Sequence, residues 1–577
     1  MDINNKFKIK TAKPAAVNQF NNLSCDHITT SNFMEVQPVY YRHLTPADET
    51  LTVNAEAFSR LQPMPVPTMG RAQQNIRGFW VPYRTLISSW NSFITDTYEG
   101  LHSRLPIVTS GAFRDLFLLP DMSTLANSAA DFIHSDGTST FHRKLTPFGR
   151  KVYKVLLSLG YDYTLGDLGE ITYNALALLA YFKVINDWYY PSQYVADSSL
   201  SIFLSNVFRG GYSQLTSSQL LDAFKYASVV DMYNPDYFTS AFDNPEGPSV
   251  VGNSSIIFND NTVGGLQVQL TGQNTPYMDL ESDGTPSSGG LASTPKLTEY
   301  GLHTLHALSD YMKRHQLAGS RALDRYLARF GVALSTEKLN RCTYIGVKST
   351  PLQFSSVESS STTEGAVLGD YAGKGQAIIQ DSFTCNPQNE YGMFLIINTF
   401  VPQVGYVQGI DRHNLHLSNY DFYTPEFDAL GNQAISKLEL FNTITRFVDN
   451  SEDVVNQVFG FTPRYSEYKV PRDFLTGDFR CRSVGADNLQ AWHLMRLFDY
   501  INYDDVVHDI DFVSGTDSKQ YGRIFYENTE NGSDQIHCIF RFHVNLASHQ
   551  KPLYDVFDFS NDDGHDIILD TNGVKVN

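Results

Sequence analysis

From Leu51 to Arg60 the chain alternates: Leu51, Val53, Ala55 and Ala57 fall on one side, Thr50, Thr52, Asn54 and Glu56 on the other. A period of two is that of a strand with one face on a core and one in water. Pro63, Pro65 and Pro67 then remove every second backbone donor, so no ladder continues and the chain leaves the sheet extended. A second, fully apolar strand follows over Gly78–Pro82, with Trp90 and Phe93 in a helix beyond it.

Residues 1–30 show no periodicity and read as an N-terminal arm, basic through Lys6, Lys8, Lys10 and Lys13; residues 31–84 hold strands near 33–41, 50–60 and 76–83. Residues 85–245 turn helical, with apolar side chains three and four apart in Lys151–Leu159 and Leu176–Trp188 and a stop at Gly160. Residues 246–296 are dense in Gly, Ser, Thr and Asn, as in Asp283-Gly284-Thr285-Pro286-Ser287-Ser288-Gly289-Gly290, and predict an exposed excursion with no core of its own. Residues 297–375 predict helices over Leu297–His315 and Ser320–Phe330 and then a loop; Leu323, Tyr326, Leu327 and Phe330 share a face and Gly331 stops the helix. Residues 376–577 return to strands. Tyr391–Val401 is apolar on both alternations, hence buried on two sides. Cys538, Phe540, Phe542, Val544 and Leu546 oppose His537, Arg541, His543 and Asn545, a half-buried antiparallel strand. Strands at both ends with helices between them require a sheet closed by residues distant in sequence.

Sheet is also what the aromatic content favours, with 38 Phe and 33 Tyr. The five cysteines show no Cys-x-x-Cys spacing, and an odd number cannot all pair within the chain, which fits a reducing cytosol. The lysines of the arm are followed by no apolar stretch, and the longest apolar run, Ala175–Phe182, is far short of the ~20 residues of a membrane span. Neither classical export nor membrane insertion is expected. A net charge of -19 argues against broad binding of a phosphate backbone, which needs Lys and Arg to displace counterions. The basic arm is the local exception and the candidate contact to nucleic acid.

Several short strings, taken in order, resemble one family. They are Asn22-Leu23-Ser24, Thr29-Thr30-Ser31-Asn32-Phe33, Ala57-Phe58-Ser59-Arg60-Leu61, Pro63 to Pro67 and Phe79-Trp80-Val81-Pro82-Tyr83-Arg84. Asp236-Tyr237-Phe238-Thr239-Ser240-Ala241, Leu323 to Gly331, Tyr420-Asp421-Phe422-Tyr423, Phe459-Gly460-Phe461, Arg464 to Lys469 and Trp492-His493-Leu494 continue the series over nearly the whole chain. The sequence resembles the major capsid proteins of microviruses, gokushovirus-like or alpavirus-like, small icosahedral single-stranded DNA bacteriophages. It departs from the commonest gokushovirus pattern after Pro67, where Met69-Gly70-Arg71-Ala72 replaces an acidic turn. The resemblance implies a mainly β fold with α-helical insertions, the eight-stranded antiparallel jelly roll of viral capsids with long inserted loops. It implies self-association into an icosahedral shell, assembled in the bacterial cytoplasm, around single-stranded DNA, with a small basic DNA-binding protein and other minor virion proteins as partners. It places 246–296 at the capsid surface, toward a host receptor, with carbohydrate among the options.

Catalytic motifs are not found. Gly373-Lys374 lacks both the preceding glycine and the following Ser or Thr of a phosphate loop, since Leu368 and Gly375 stand there. His413 and His416, beside Asp411, read as exposed polar loop residues rather than metal ligands. Acidic clusters at Asp504, Asp505, Asp509 and Asp511 and at Asp558, Asp562, Asp563 and Asp566 offer oxygen ligands for a hard cation. In the second, Phe559 occupies the position of the first ligand of a calcium loop, so Asp562, Asp563 and Asp566 are weak metal candidates. The expectation is a structural protein with no enzymatic activity and no cofactor; Tyr465–Lys469 and the Pro63–Pro67 ladder are the candidates for inter-subunit or interior-face contacts, with packing inside the chain as the alternative. A secreted all-β carbohydrate-active enzyme or carbohydrate-binding protein is the alternative.

Overall fold

The computed structural model describes residues 17–550 except 22, 96–104, 124–144, 162–170, 191–198, 213, 228–229, 243–253, 259–265, 271–302, most of 304–321, 333–339, 361–368, 388, 408, 429–430, 441–456, 472, 481–488, 497, 499–509, 516–517 and 527–533. Eight long strands form the centre: β1 Cys25–Ser31, β2 Gln37–Leu44, β3 Asp48–Leu61, β4 Ala72–Pro82, β5 Thr343–Pro351, β6 Tyr371–Cys385, β7 Gly392–Pro402 and β8 Ile536–Ser548. One sheet runs β1–β8–β3–β6, with Gln353–Glu358 added beside β6 and Asn18–Phe20 beside the far end of β8. The other runs β5–β4–β7–β2. Every pairing in both is antiparallel. The first strand of the eight thus lies against the last, as the distant closure required.

The inner faces of the two sheets make one core. Leu51, Val53, Ala55 and Ala57 of β3 and Cys538, Phe540, Phe542 and Val544 of β8 meet Tyr40 of β2, Trp80 of β4 and Phe394 and Ile396 of β7. The predicted alternations in β3 and β8 hold along their length. Strand β7 is buried throughout, because its other side chains, Met393, Leu395 and Ile397, join a second core under the helices.

That second core comes from the chain between β4 and β5. Helices α1 Ser110–Phe117, α2 Pro147–Ser158, α3 Leu176–Val184, α4 Ser199–Phe208 and α5 Ser217–Ala227 lie here. Thr109 and Thr146 cap the first two by accepting from Ala112 N and Gly149 N. The helix α3 buries every residue but Lys183, which is what an all-round apolar run needs. Phe79 and Val81 on the outer side of β4 pack against it, so one sheet is roofed by helices, while among the described residues no helix covers the other.

Some elements differ from expectation. Strand β1 falls inside the arm expected to be irregular; its register on β8, not its own pattern, creates it. Strand β5 and Gln353–Glu358 replace part of the loop expected before 375. Both are edge strands with little burial, so they leave a faint hydrophobic signal. The helix Ala322–Phe330 forms and ends at Gly331 (φ +64°), but Tyr326, Leu327 and Phe330 are exposed. Within 246–296, Ser254–Phe258 and Leu266–Leu270 pair as a hairpin.

Candidate functional site

Five of the strings that carry the resemblance converge on one lobe beside the sandwich. The strand Val458–Pro463 pairs with Asn432–Ser436, and Phe461 exchanges two backbone hydrogen bonds of 2.7 Å with Phe242, just past Asp236–Ala241. Phe238, Ala241, Ile435, Leu440, Phe459 and Phe512 close a small third core. The lobe is tied to the strands by Met69, whose N–H donates to Trp492 O at 2.6 Å.

One buried cation, Arg496, and one half-buried cation, Arg412, organise this lobe. Arg496 is 3% exposed; its guanidinium lies 4.6 Å from the ring of Tyr233 and 4.5 Å from that of Phe512, and donates to Phe512 O at 3.0 Å. Stacking on aromatic faces offsets part of its desolvation. Arg412 lies 2.6 Å from Glu439, which also accepts from Ser436 N at 2.9 Å and from the Tyr237 hydroxyl at 3.1 Å. Burial and the Glu439 carboxylate push the Tyr237 hydroxyl well above the usual phenol range. This network closes one side of a cleft of about 240 Å³, whose opposite rim is Val470, Pro471 and Phe474.

Around the cleft, Tyr465 is buried in the left-handed region (φ +63°), its N–H donating to Gln433 Oε1 at 3.1 Å while Gln433 Nε2 donates to Glu467. The rings of Tyr423 and Tyr465 lie 5.2 Å apart, and Arg464 anchors Tyr420 O at 3.0 Å. The loop is therefore held, yet Leu417, Tyr420, Phe422, Tyr423, Tyr468 and Phe474 are all exposed. Exposed aromatic side chains gathered around a held loop mark an association surface.

Of the proposed subunit contacts, Tyr465–Lys469 divides: Tyr465 and Ser466 pack inside the chain, whereas Tyr468 and Lys469 face solvent. The proline ladder lies against its own β6, Met64 and Gly373 exchanging hydrogen bonds of 3.2 and 2.9 Å, with only Pro63 and Pro65 exposed. Gly373-Lys374 sits within strand β6, which no phosphate loop does. His413 is exposed as expected, but the His416 side chain is not: it is 3% exposed, with Nε2 3.4 Å from Glu467 Oε1. The local sequence could not place Glu467 opposite it. Among the described residues no group of three or more His, Cys, Asp or Glu is arranged to hold a metal ion. Lys6, Lys8, Lys10, Lys13, Asp504, Asp505, Asp509 and the cluster with Asp562, Asp563 and Asp566 lie outside the described residues, as does the Asp511 side chain.

A β sandwich closed by distant strands, displaying its aromatic side chains on a braced loop, is built for association. The family model for "Capsid protein (F protein)" matches residues 8–115 and 157–506. The chain belongs to that family and is the structural major capsid protein of a microvirus, a component of the virion. Capsid protein VP1 of Chlamydia phage 1 is 23% identical over 541 residues, covering 82% of this chain and 85% of the relative. Capsid protein VP1 of Bdellovibrio phage phiMH2K is 26% identical over 509 residues, covering 81% and 83%, and that of Spiroplasma virus 4 is 24% identical over 381 residues, covering 58% and 66%. Family membership indicates a structural rather than an enzymatic role and implies self-assembly.

Proposed function

We propose that copies of this chain close into an icosahedral shell around a circular single-stranded DNA phage genome, using the eight-stranded capsid jelly roll as the wall. The strand order β1–β8–β3–β6 over β5–β4–β7–β2 supports the jelly roll, because it pairs early strands with late ones in both sheets. In this reading Lys6, Lys8, Lys10 and Lys13 point inward to the DNA, together with a small basic protein that offsets the -19 charge. Residues 246–296 project outward toward a host receptor, and minor virion proteins complete the particle assembled in the host cytoplasm.

The exposed rim Tyr420, Phe422, Tyr423, Tyr468 and Phe474 carries the assembly reading. Each contact between subunits is weak, and closure makes it sufficient, because every copy holds several neighbours. Electron microscopy of the purified chain tests this. The unaltered protein gives uniform shells, and Phe422→Asp with Phe474→Asp gives folded subunits with unchanged circular dichroism and no shells. Shells from the double variant would remove this surface from the mechanism.

A further inference from the structure

A buried cluster at the end of the sandwich brings one amine, one amide and two carboxylates together. Lys154 comes from α2, Asn32 and Glu35 from the turn between β1 and β2, and Asp534 from the approach to β8. The side chains of Lys154, Glu35 and Asp534 are 10, 3 and 17% exposed. Glu35 Oε2 lies 2.8 Å from Lys154 Nζ and accepts from Asn32 Nδ2 at 3.0 Å, so one oxygen touches both nitrogens. Asp534 bridges the same pair again, Oδ2 lying 3.1 Å from Nζ and Oδ1 accepting from Nδ2 at 3.0 Å. The Asn32 carbonyl has a donor of its own, since Oδ1 accepts from the backbone N–H of Gln535 at 3.0 Å. The turn is pinned as well: Asn32 N donates to Glu35 Oε2 at 3.0 Å and Phe33 N to Gln535 Oε1 at 2.9 Å. All of these donors to Glu35 fall on Oε2, whereas Oε1 is buried without a hydrogen-bond partner. An ion pair built only for stability would satisfy both oxygens.

We propose that Lys154 and Asn32 join in an isopeptide bond, with Glu35 carrying the protons. Lys154 Nζ attacks Asn32 Cγ; the Nζ–Cγ bond forms, the Cγ–Nδ2 bond breaks, and the nitrogen leaves as ammonium. Two protons therefore pass from Nζ to Nδ2, and Glu35 Oε2 is in contact with both ends of that path. The Gln535 N–H stabilises the charge that builds on Asn32 Oδ1 in the tetrahedral intermediate. Holding amine and amide on the same two carboxylates supplies the proximity that an amide, a poor electrophile, requires. Burial favours the neutral Lys154 amine, but Glu35 and Asp534 outweigh it and hold the pKa above the ordinary lysine value. The first proton transfer is thus uphill, and the bond forms slowly after folding. Lys151, one turn earlier on α2, leaves a cation near Glu35 once the charge of Lys154 has departed. The bond clasps the helical roof to the β1–β2 turn without any oxidation, in a chain whose described cysteines are all free.

Mass spectrometry of the denatured full-length chain tests the proposal. The chain is expected to be lighter by one ammonia than its sequence requires. Tryptic digestion is expected to give one branched peptide joining Lys154 to Asn32, uncut after Lys154. Glu35→Gln and Lys154→Arg are expected to keep the circular dichroism of the unaltered chain and to show the full mass. A full mass in the unaltered, folded chain after prolonged incubation overturns the proposal, whatever the variants do. So does a loss of ammonia that maps to Asn531-Gly532 or Asn572-Gly573, where ring closure on the backbone gives the same mass. A branched peptide that forms as fast in Glu35→Gln as in the unaltered chain overturns it too.

Discussion

Lys154 of α2 lies 2.8 Å from Glu35 and 3.1 Å from Asp534, and Asn32 Nδ2 donates to both carboxylates at 3.0 Å. Burial alone would raise the Asp534 carboxyl, but Lys154 and the donors Thr30 and Asn32 hold it below the ordinary value. Removing one member leaves a buried cation short of a partner, so Glu35→Ala is expected to cost about 3 kcal/mol in urea unfolding. His493 contributes a second pH dependence. Burial first, and then Arg523, lowers its pKa from 6.5 to about 4. The folded state therefore resists the proton that the unfolded chain accepts. Stability is full above 6.5 and falls as pH drops from there to about 4. A His493→Asn variant is expected to lose this slope in unfolding curves measured across that window, though not the acid loss due to Asp534. The Lys154 cluster was not legible in the sequence, because Lys154 lies 119 residues from Glu35 and much farther from Asp534, and only the fold makes them neighbours.

Strand β6 shows what an element needs from its neighbours. A Cβ at Gly373 would lie 2.5 Å from Val66 O in the proline ladder, a backbone atom that cannot swing aside. Gly373→Ala is expected to lower stability by about 1–3 kcal/mol. Gly346 in β5 has nothing within 4 Å of the corresponding point, so Gly346→Ala should change the urea midpoint little, within about 0.5 kcal/mol. A loss as large at Gly346 as at Gly373 would show that strand propensity, not the crossing ladder, sets the cost. The strongly periodic elements were readable: β3, β7 and β8 follow their patterns, and α3 follows its apolar run. Strands β1 and β5 were missed, since an edge strand draws its conformation from hydrogen bonds to a partner rather than from burial of its own side chains.

For the whole molecule, the sandwich has one sheet roofed by helices and one that no helix covers among the described residues, and the aromatic lobe stands beside it. Residues 246–296 are proposed as a surface projection, and loop closure costs little with length. Replacing them by a short Gly/Ser link is expected to change subunit stability by about 1 kcal/mol and to leave shells intact in electron microscopy while infection fails; loss of folding would make the segment structural. By itself the sequence determined the alternating strands, the apolar helix, the break at the prolines and the family, because each is written in local spacing or in short strings kept in order. Tertiary structure alone decided which strands pair, that His416 is buried against Glu467, that Arg412 meets Glu439, and that Ile28, Phe58, Ile378 and Ile539 stand in one exposed row. Those relations join positions separated by up to hundreds of residues, and the forces that make them, burial and hydrogen bonding across sheets, act through space and leave no mark on neighbours in the chain.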